Sequence, residues 1–327
     1  MRQFVASFAM LGLLGACDMA PKEKLGIDYH THIQSPEMGT HMGVMCGKYA
    51  ECDAEEMAKG TSVELLLPTL ETSQFNRAVI MSVGYMGGMP DFGIEIEAEK
   101  SLTRHENQYI ADQVATSEKL ISFYSVNPLR DYAIEEAKYW QENDGHSGLK
   151  LHMANSDVDF FNADHVKKLQ DLFDVVDEDG MTIFIHLRNR NSEYDGRDVE
   201  VFVNEILPHA SKSTIIIAHA VGWGGFDEPN EKALDYFIKA MADGRVDTAR
   251  TYIGVGAVIM EGLTEDRKTL FLEKFRSLNI ENWVFGSDWA PVLSPLDPVT
   301  YAKSLNDIGM TEEELSKLIS NKLPFIK

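Results

Sequence analysis

Apolar strand-like segments alternate with amphipathic helical segments along the chain from residue 25 onward. The short apolar runs are residues 25–33, 77–85, 121–127, 148–152, 182–187, 214–220, 251–260 and 283–287. Eight strands that alternate with helices over roughly 300 residues predict a (β/α)8 TIM barrel. A doubly wound open sheet shares this alternation. However, no G-x-G-x-x-G sequence follows the first strand, where a dinucleotide-binding sheet would carry it.

The chain after residue 25 has no segment rich in Pro, Gly or Ser that would divide it, so residues 25–327 are predicted to form a single domain. Residues 34–76, between the first two strands, are too long for a single helix, and we interpret them as an insertion over the barrel mouth. This insertion contains Cys46 and Cys52. They lack companions spaced as zinc ligands and could form a small disulfide loop in an oxidising compartment.

Residues 1–16 have the features of a signal peptide, with Arg2 before the apolar run 4–16, which is too short to span a bilayer as a helix. The run ends in Leu14-Gly15-Ala16-Cys17, which resembles a bacterial lipobox. We therefore expect cleavage before Cys17, lipidation of its thiol and a tether over residues 17–24. This places the protein on the periplasmic side of a bacterial cell envelope. The alternative is an ordinary secretory signal, an unmodified Cys17 and a secreted soluble protein.

The chain is strongly acidic, with 52 Asp and Glu residues against 30 Lys and Arg residues and a net charge of −22. Such a surface repels the phosphates of nucleic acids and the headgroups of anionic lipids. Nucleic acid is therefore excluded as the expected partner, and contact with a membrane is expected only through the lipid anchor. The remaining expectation for a partner is a small-molecule substrate.

Two histidines spaced one residue apart lie near the end of the first predicted strand. They are His30 and His32 in the stretch "DYHTHI", and side chains at positions i and i+2 of a strand point to the same face. Regular alternation places Asp28 on this face too. Two imidazoles on one face can begin a metal site. An isolated H-x-H is equally compatible with an ordinary pair of surface or core histidines, so the interpretation depends on the other strands.

Side chains of metal-binding and catalytic types also occur at the ends of other predicted strands. They are Lys150 on the fourth strand, His186 on the fifth, His219 on the sixth and Asp288 after the eighth. Because the C-terminal ends of barrel strands meet at one face, these side chains are expected at the level of His30 and His32. Each one alone is more typical of a loop hydrogen bond or a helix cap. Together they predict an active site.

The motifs "DYHTHI", "IHLR", "AHAVG" and "FGSDWAP" occur in the order typical of the amidohydrolase superfamily. The chain resembles most closely the amidohydrolase-related (amidohydrolase 2) branch of TIM-barrel metal-dependent hydrolases, over residues 26 to about 291. The resemblance implies metal ligands at His30, His32, His186 and Asp288. It also implies a catalytic role for His219 beside the metal. Relatives of this kind are often homodimers.

The resemblance leaves the number of metal ions open. Imidazoles with one carboxylate suit a single divalent ion, zinc or another first-row metal. In binuclear relatives, a lysine at the position of Lys150 is carboxylated and bridges two ions, and His219 then helps to hold the second. In mononuclear relatives the lysine bridges nothing. Met153 follows the K-x-H sequence where relatives often have proline, so we expect the loop after the fourth strand to differ from theirs. We favour one ion.

The leading functional hypothesis is a metal-dependent hydrolase that acts on a small-molecule amide, ester or lactone. The metal would lower the pKa of its water to about 7, Asp288 would accept and return a proton, and His219 would orient the reacting groups. The first alternative is a non-oxidative decarboxylase similar to aminocarboxymuconate-semialdehyde decarboxylase. The second is a lipoprotein that binds a metal or ligand without turnover.

Three residues near the predicted strand ends are candidates for substrate contacts. Arg188 and Arg190 follow His186 and could bind a carboxylate bidentately, or they could form structural salt bridges with the abundant acids of the chain. Trp223 could form a wall of the pocket, although aromatic residues at strand ends are also ordinary barrel packing.

Overall fold

The computed structural model describes residues 26–48, 51–294 and 296–326. The strands are β1 (Gly26–His32), β2 (Phe75–Met81), β3 (Leu120–Ser125), β4 (Gly148–His152), β5 (Thr182–His186), β6 (Ile215–Ile217), β7 (Thr251–Gly254) and β8 (Trp283–Val284). They form one parallel sheet in sequential order, β1 to β8. This architecture is a (β/α)8 TIM barrel, as the sequence predicts.

The barrel closes between β8 and β1 through backbone hydrogen bonds just beyond the short eighth strand. Tyr29 N donates to Phe285 O at 3.0 Å, and His32 N donates to the carbonyl of Trp289 at 2.7 Å. In the opposite direction, Asp288 N donates to His30 O at 2.8 Å. The closure therefore brings the H-x-H segment and Asp288 side by side.

The helices surround the sheet, and several of them begin at the caps that their sequences predict. They are α1 (Pro36–Met42), α2 (Ala54–Ala58), α3 (Leu67–Thr72), α4 (Ile96–Val114), α5 (Ala133–Glu142), α6 (Ala163–Glu178), α7 (Gly196–Val201), α8 (Glu228–Ala242), α9 (Glu265–Arg276), α10 (Pro298–Asp307) and α11 (Glu312–Ser320). Thr264 caps α9 by accepting from Arg267 N, and Thr311 with Glu314 forms a capping box at α11. These caps satisfy backbone donors that would otherwise have no partner.

The interior of the barrel contains an apolar cluster that includes Tyr29, Phe123 and Phe184, and the C-terminal segment adds Leu323 and Ile326 to it. Strict alternation along β1 predicts that Tyr29 and His30 face opposite sides. Instead, the pairing of β1 with β2 shifts register between Asp28 and Thr31. As a result the His30 ring also packs against Phe184, with ring centroids 4.7 Å apart.

The stretch between β1 and β2 contains α1, α2 and α3, and Met42 at the end of α1 lines a cavity at the barrel mouth. Within it, Cys46 and Cys52 are joined by a disulfide. The predicted signal peptide, Cys17 and the tether over residues 17–24 lie outside the described residues. No helix among the described residues has both the length and the apolar character needed to cross a bilayer.

Candidate active site

A cavity of about 370 Å³ opens at the C-terminal ends of the strands. Its polar lining includes the strand-end residues predicted from the sequence, namely His30, His32, Lys150, His186, His219 and Asp288. The structure therefore brings these six side chains together around one space. The rest of the lining is largely apolar and includes Met42, Met86 and Trp223.

The two β1 histidines and Asp288 point their polar atoms at one another. His30 Nε2 and His32 Nε2 are 3.0 Å apart. Asp288 Oδ1 lies 3.0 Å from His30 Nε2 and 3.5 Å from His32 Nε2. His32 Nδ1 lies 3.1 Å from the Met81 carbonyl oxygen, which can only accept a hydrogen bond. Nδ1 therefore carries the proton of the neutral ring, and the lone pair is on Nε2.

His219 enters the same space from a strained turn after β6. His219, Ala220 and Val221 all have positive φ, at 55°, 48° and 69°. This region is unfavourable for residues other than glycine, most of all for a β-branched one such as Val221. His219 Nδ1 donates to Gly256 O at 2.7 Å, which leaves its Nε2 lone pair available to a ligand.

Asn230 on α8 holds this strained turn in place. Its Nδ2 donates to the His219 carbonyl at 3.1 Å, and its Oδ1 accepts from Trp223 N at 3.1 Å. Gly222 permits this contact, because a Cβ at that position would lie 1.1 Å from Asn230 Oδ1. Asn230 thus positions His219. No sequence motif indicates this role.

Two features position Asp288: a strained backbone conformation and hydrogen bonds to the buried Asp28 carboxylate. The φ of Asp288 is 62°. Gly286, two residues earlier, allows close approach to β1, because a Cβ there would lie 2.7 Å from the His30 Cβ. Asp28 joins the two strands: its carboxylate accepts from His30 N at 3.0 Å, from Ser287 N at 3.0 Å and from Ser287 Oγ at 2.6 Å. Asp28 therefore positions the site through the backbone rather than lining the cavity.

The charge states of the cluster follow from its burial. Burial and the nearby Lys150 hold the pKa of His30 well below its usual value, and burial with the neighbouring His152 does the same for the pKa of His186. Burial opposes ionisation of Asp288. The neighbouring His30 and His219 outweigh this and hold the pKa of Asp288 well below its usual value. Neutral imidazoles around an ionised carboxylate are the form that binds a divalent metal.

This arrangement fits a metal ion. Ligand atoms about 2.1 Å from one ion lie about 3.0–3.4 Å from each other. Two of the separations among His30, His32 and Asp288 are 3.0 Å, and the third, from His32 to Asp288, is slightly longer at 3.5 Å. Of the described residues, His30, His219 and Asp288 also form the compact group whose possible ligand atoms lie within 4.8 Å of one another. The buried Nε2 of His186 has no hydrogen-bond partner among the described residues. A cation would satisfy these converging lone pairs, which otherwise face each other at a cost.

Lys150 borders the cluster. Its Nζ lies 3.3 Å from His30 Nε2 and 4.5 Å from the centroid of the Phe184 ring. Burial lowers the pKa of Lys150 to about 7. A substantial neutral fraction of this amine therefore exists near neutral pH.

His152, the next residue along the same face of β4, is a part of the wall that the predicted site does not include. Its ring stacks on His186 with centroids 3.8 Å apart. Asn155 N donates to its Nδ1 at 3.2 Å, which places the proton of the neutral ring on Nε2. The K-x-H spacing is the sequence signal for this residue.

The candidate substrate residues have different surroundings. Arg188 Nη1 binds both oxygens of Asp227, at 2.9 and 3.0 Å, so this arginine forms the salt bridge that the sequence allows. Arg190 instead donates to the Ala154 carbonyl at 2.8 Å. Trp223 is 40% exposed and sets its ring at 89° to that of His186, with centroids 5.3 Å apart.

Comparisons with known proteins agree with this fold. No protein-family model and no curated protein sequence matches the chain. Among solved structures, the chain is similar to a protein assigned as a 2-pyrone-4,6-dicarboxylic acid hydrolase from Pseudomonas putida, with a TM-score of 0.61, 14% identity and coverage of 92% of this chain and 97% of that one.

Two further similar structures contain metal. One is an amidohydrolase from Burkholderia multivorans with bound zinc, with a TM-score of 0.54, 12% identity and coverage of 90% of this chain and 96% of that one. The other is a dihydroxybenzoic acid decarboxylase from Polaromonas with bound manganese and the inhibitor 2-nitroresorcinol, with a TM-score of 0.61, 11% identity and coverage of 90% and 94%. The chain thus has the barrel fold that these hydrolases and decarboxylases share.

Proposed function

We propose that this protein is a metal-dependent hydrolase of a small-molecule ester, lactone or amide. The observation on which the proposal rests is the convergence of His30, His32, His219 and Asp288 on one cavity, with imidazole nitrogens and a carboxylate directed at each other. The strained backbone at His219 and Asp288 supports it, because such strain persists where function requires a defined geometry. Zinc is our proposal for the metal, since this ligand set suits it.

The residues that line the cavity would have different roles in hydrolysis. His30, His32 and Asp288 would hold the ion, and His186 and His219 would complete its surroundings. A bound ion would supply Lewis acidity and would lower the pKa of water at the site. The second oxygen of Asp288 accepts a proton from the attacking water and passes it to the leaving group, and His219 orients the reacting carbonyl. The Nε2–H of His152 donates to an oxygen of the substrate.

The test is hydrolysis of a panel of aryl esters, lactones and anilides by the zinc-loaded protein. Asp288→Asn removes the proton acceptor while keeping the side-chain shape, so we expect a loss of activity of about 100-fold or more. Asp171→Asn, on the exposed side of α6, is the matched control and should retain activity. No turnover by the wild type with zinc, manganese or cobalt would contradict the proposal, and tight binding without turnover would favour a binding lipoprotein.

Non-oxidative decarboxylation is a second candidate. It is favoured by the shared fold with solved decarboxylases, including a 2,6-dihydroxybenzoate decarboxylase at a TM-score of 0.57 and 12% identity. The same residues could protonate a ring carbon before CO₂ leaves. Release of CO₂ from dihydroxybenzoates without ester or lactone hydrolysis would replace the hydrolase proposal.

Lipid anchoring, the envelope location and a homodimer remain proposals that rest on the sequence. Mass spectrometry of the mature protein, purified from a bacterial host, tests the anchor directly. We expect a diacylglyceryl-modified Cys17 at the new N-terminus and its loss in Cys17→Ser. A mature chain that begins elsewhere would contradict the anchor and favour a secreted protein.

A further inference from the structure

A second chamber adjoins the cavity that holds the histidine–aspartate cluster. Its volume is about 590 Å³. Several residues line both spaces, so the two chambers share one wall; these are Met45, His152, Asn155, Trp223 and Leu293. A ligand that extends past this wall would contact the cluster at one end and the second chamber at the other.

The second chamber has an unusual charge for this protein. Its other lining residues are Met89, Arg188, Asn189, Arg190, Asn191 and Ser192. Among the residues that the structure describes, the lining therefore includes two arginines and several amide groups but no Asp or Glu. The whole chain has 52 acidic residues against 30 basic ones. A cationic chamber beside the site of an acidic protein attracts an anionic ligand group.

The two arginines contribute differently. Asp227 neutralises Arg188 through two hydrogen bonds. Within the described part of the chain, Arg190 donates only to neutral acceptors, from Nε to Ala154 O at 2.8 Å and from Nη2 to Asn155 Oδ1 at 3.3 Å. The Arg190 side chain is exposed, and its other N–H groups have no protein acceptor among the described residues. Arg190 thus supplies the net positive charge of the chamber.

We infer that the second chamber binds a carboxylate at the far end of the substrate, with Arg190 as the specificity-determining residue. This inference rests on the proposed function, because it places the reacting group of the same molecule at the histidine–aspartate cluster. Met45, Trp223 and Leu293 line the passage, so the body between the two ends is apolar or aromatic. One free guanidinium matches a carboxylate, whereas a phosphate dianion would need more positive charge.

The experiment measures binding to the metal-loaded protein by calorimetry, using probes in which a ketone, which cannot be hydrolysed, replaces the reacting carbonyl. The probes are 3-acetylbenzoate, its neutral analogue 3-acetylbenzamide, and 3-acetylphenylphosphonate. We expect Arg190→Gln to weaken binding of the benzoate about tenfold or more, and to leave binding of the benzamide within about twofold. Arg190→Lys keeps the charge but loses the planar fork, so it should fall between the two.

Lys138→Gln, on the exposed side of α5, is the control of equal charge change, and it should bind all three probes as the wild type does. Equal weakening of benzoate and benzamide in Arg190→Gln, or a wild type that does not prefer the benzoate, would overturn the inference. Tighter binding of the phosphonate would overturn the choice of a carboxylate. The inference fails alone if esters are hydrolysed but Arg190→Gln changes no affinity. The proposed function fails alone if the affinities change as expected but nothing is hydrolysed.

Discussion

Glu106 on α4 gives the protein a pH-dependent stability that can be worked out from the structure. Its fully buried carboxylate accepts from Ser35 N with both oxygens, at 3.3 and 3.1 Å, at the residue that caps α1. Burial raises the pKa of Glu106 from its usual 4.5 to about 7, against the lowering effect of Ser35. Between these values the folded protein keeps a proton that the unfolded chain releases. Stability from this group is therefore present at low pH and is lost as the pH rises through about 7.

The size of the effect follows from the two pKa values. Between pH 5 and pH 8, the shift from 4.5 to about 7 removes about 2.5 kcal/mol of the free energy of unfolding. The Gln side chain of Glu106→Gln does not titrate. The free energy of unfolding of the mutant, measured relative to that of the wild type, should therefore be about 2.5 kcal/mol higher at pH 8 than at pH 5. A packing cost that does not depend on pH cancels from this comparison.

Urea denaturation of both proteins at the two pH values measures this difference. Glu97→Gln, on the exposed side of the same helix, is the control and should differ from the wild type by the same small amount at both pH values. If the free-energy difference between Glu106→Gln and the wild type were also independent of pH, the carboxyl would not have the raised pKa and the reasoning would be wrong.

Three further perturbations test the support of the site and of the mouth. Asn230→Ala removes three hydrogen bonds from the turn that carries His219, so we expect the free energy of unfolding to fall by about 3 kcal/mol; elemental analysis should also show weaker metal retention, and unchanged values would exclude the bracing role. Cys46→Ser removes the disulfide to Cys52, so we expect the free energy of unfolding to fall by about 2 kcal/mol in denaturation experiments. A reductant should lower the stability of the wild type by the same amount and leave that of the mutant unchanged. Asp28→Ala should lose bound metal whereas Asp28→Asn, which keeps an acceptor between the strands, should retain most of it; equal retention by both would argue against the positioning role of Asp28.

The order of the strands and the barrel could be predicted because they depend on local periodicity. Buried parallel strands appear as short apolar runs, and their alternation with helices determines the architecture. The ends of β6, β7 and β8 were harder to predict. The apolar runs 214–220, 251–260 and 283–287 continue beyond the ladder, because apolar residues also line the mouth where the backbone leaves the sheet.

The site was predictable to the extent that strand ends converge. His30, His186 and His219 could be placed at the mouth because each lies near the end of an apolar run, and the structure brings them to one cavity. The supports of the site could not be predicted in the same way. Asp28 and Ser287 are 259 positions apart, and Asn230 braces His219 from a helix, so only the folded chain reveals these contacts.

The metal content of the purified protein tests the central claim most directly. Elemental mass spectrometry after gel filtration should find about one divalent ion per chain, and Asp288→Ala should lose it while the exposed control Asp171→Asn retains it. Two ions per chain, reduced in Lys150→Met, would indicate a carboxylated lysine bridge within the same site. No retained metal after reconstitution, or equal retention in Asp288→Ala, would contradict the assignment of this cluster as a metal centre.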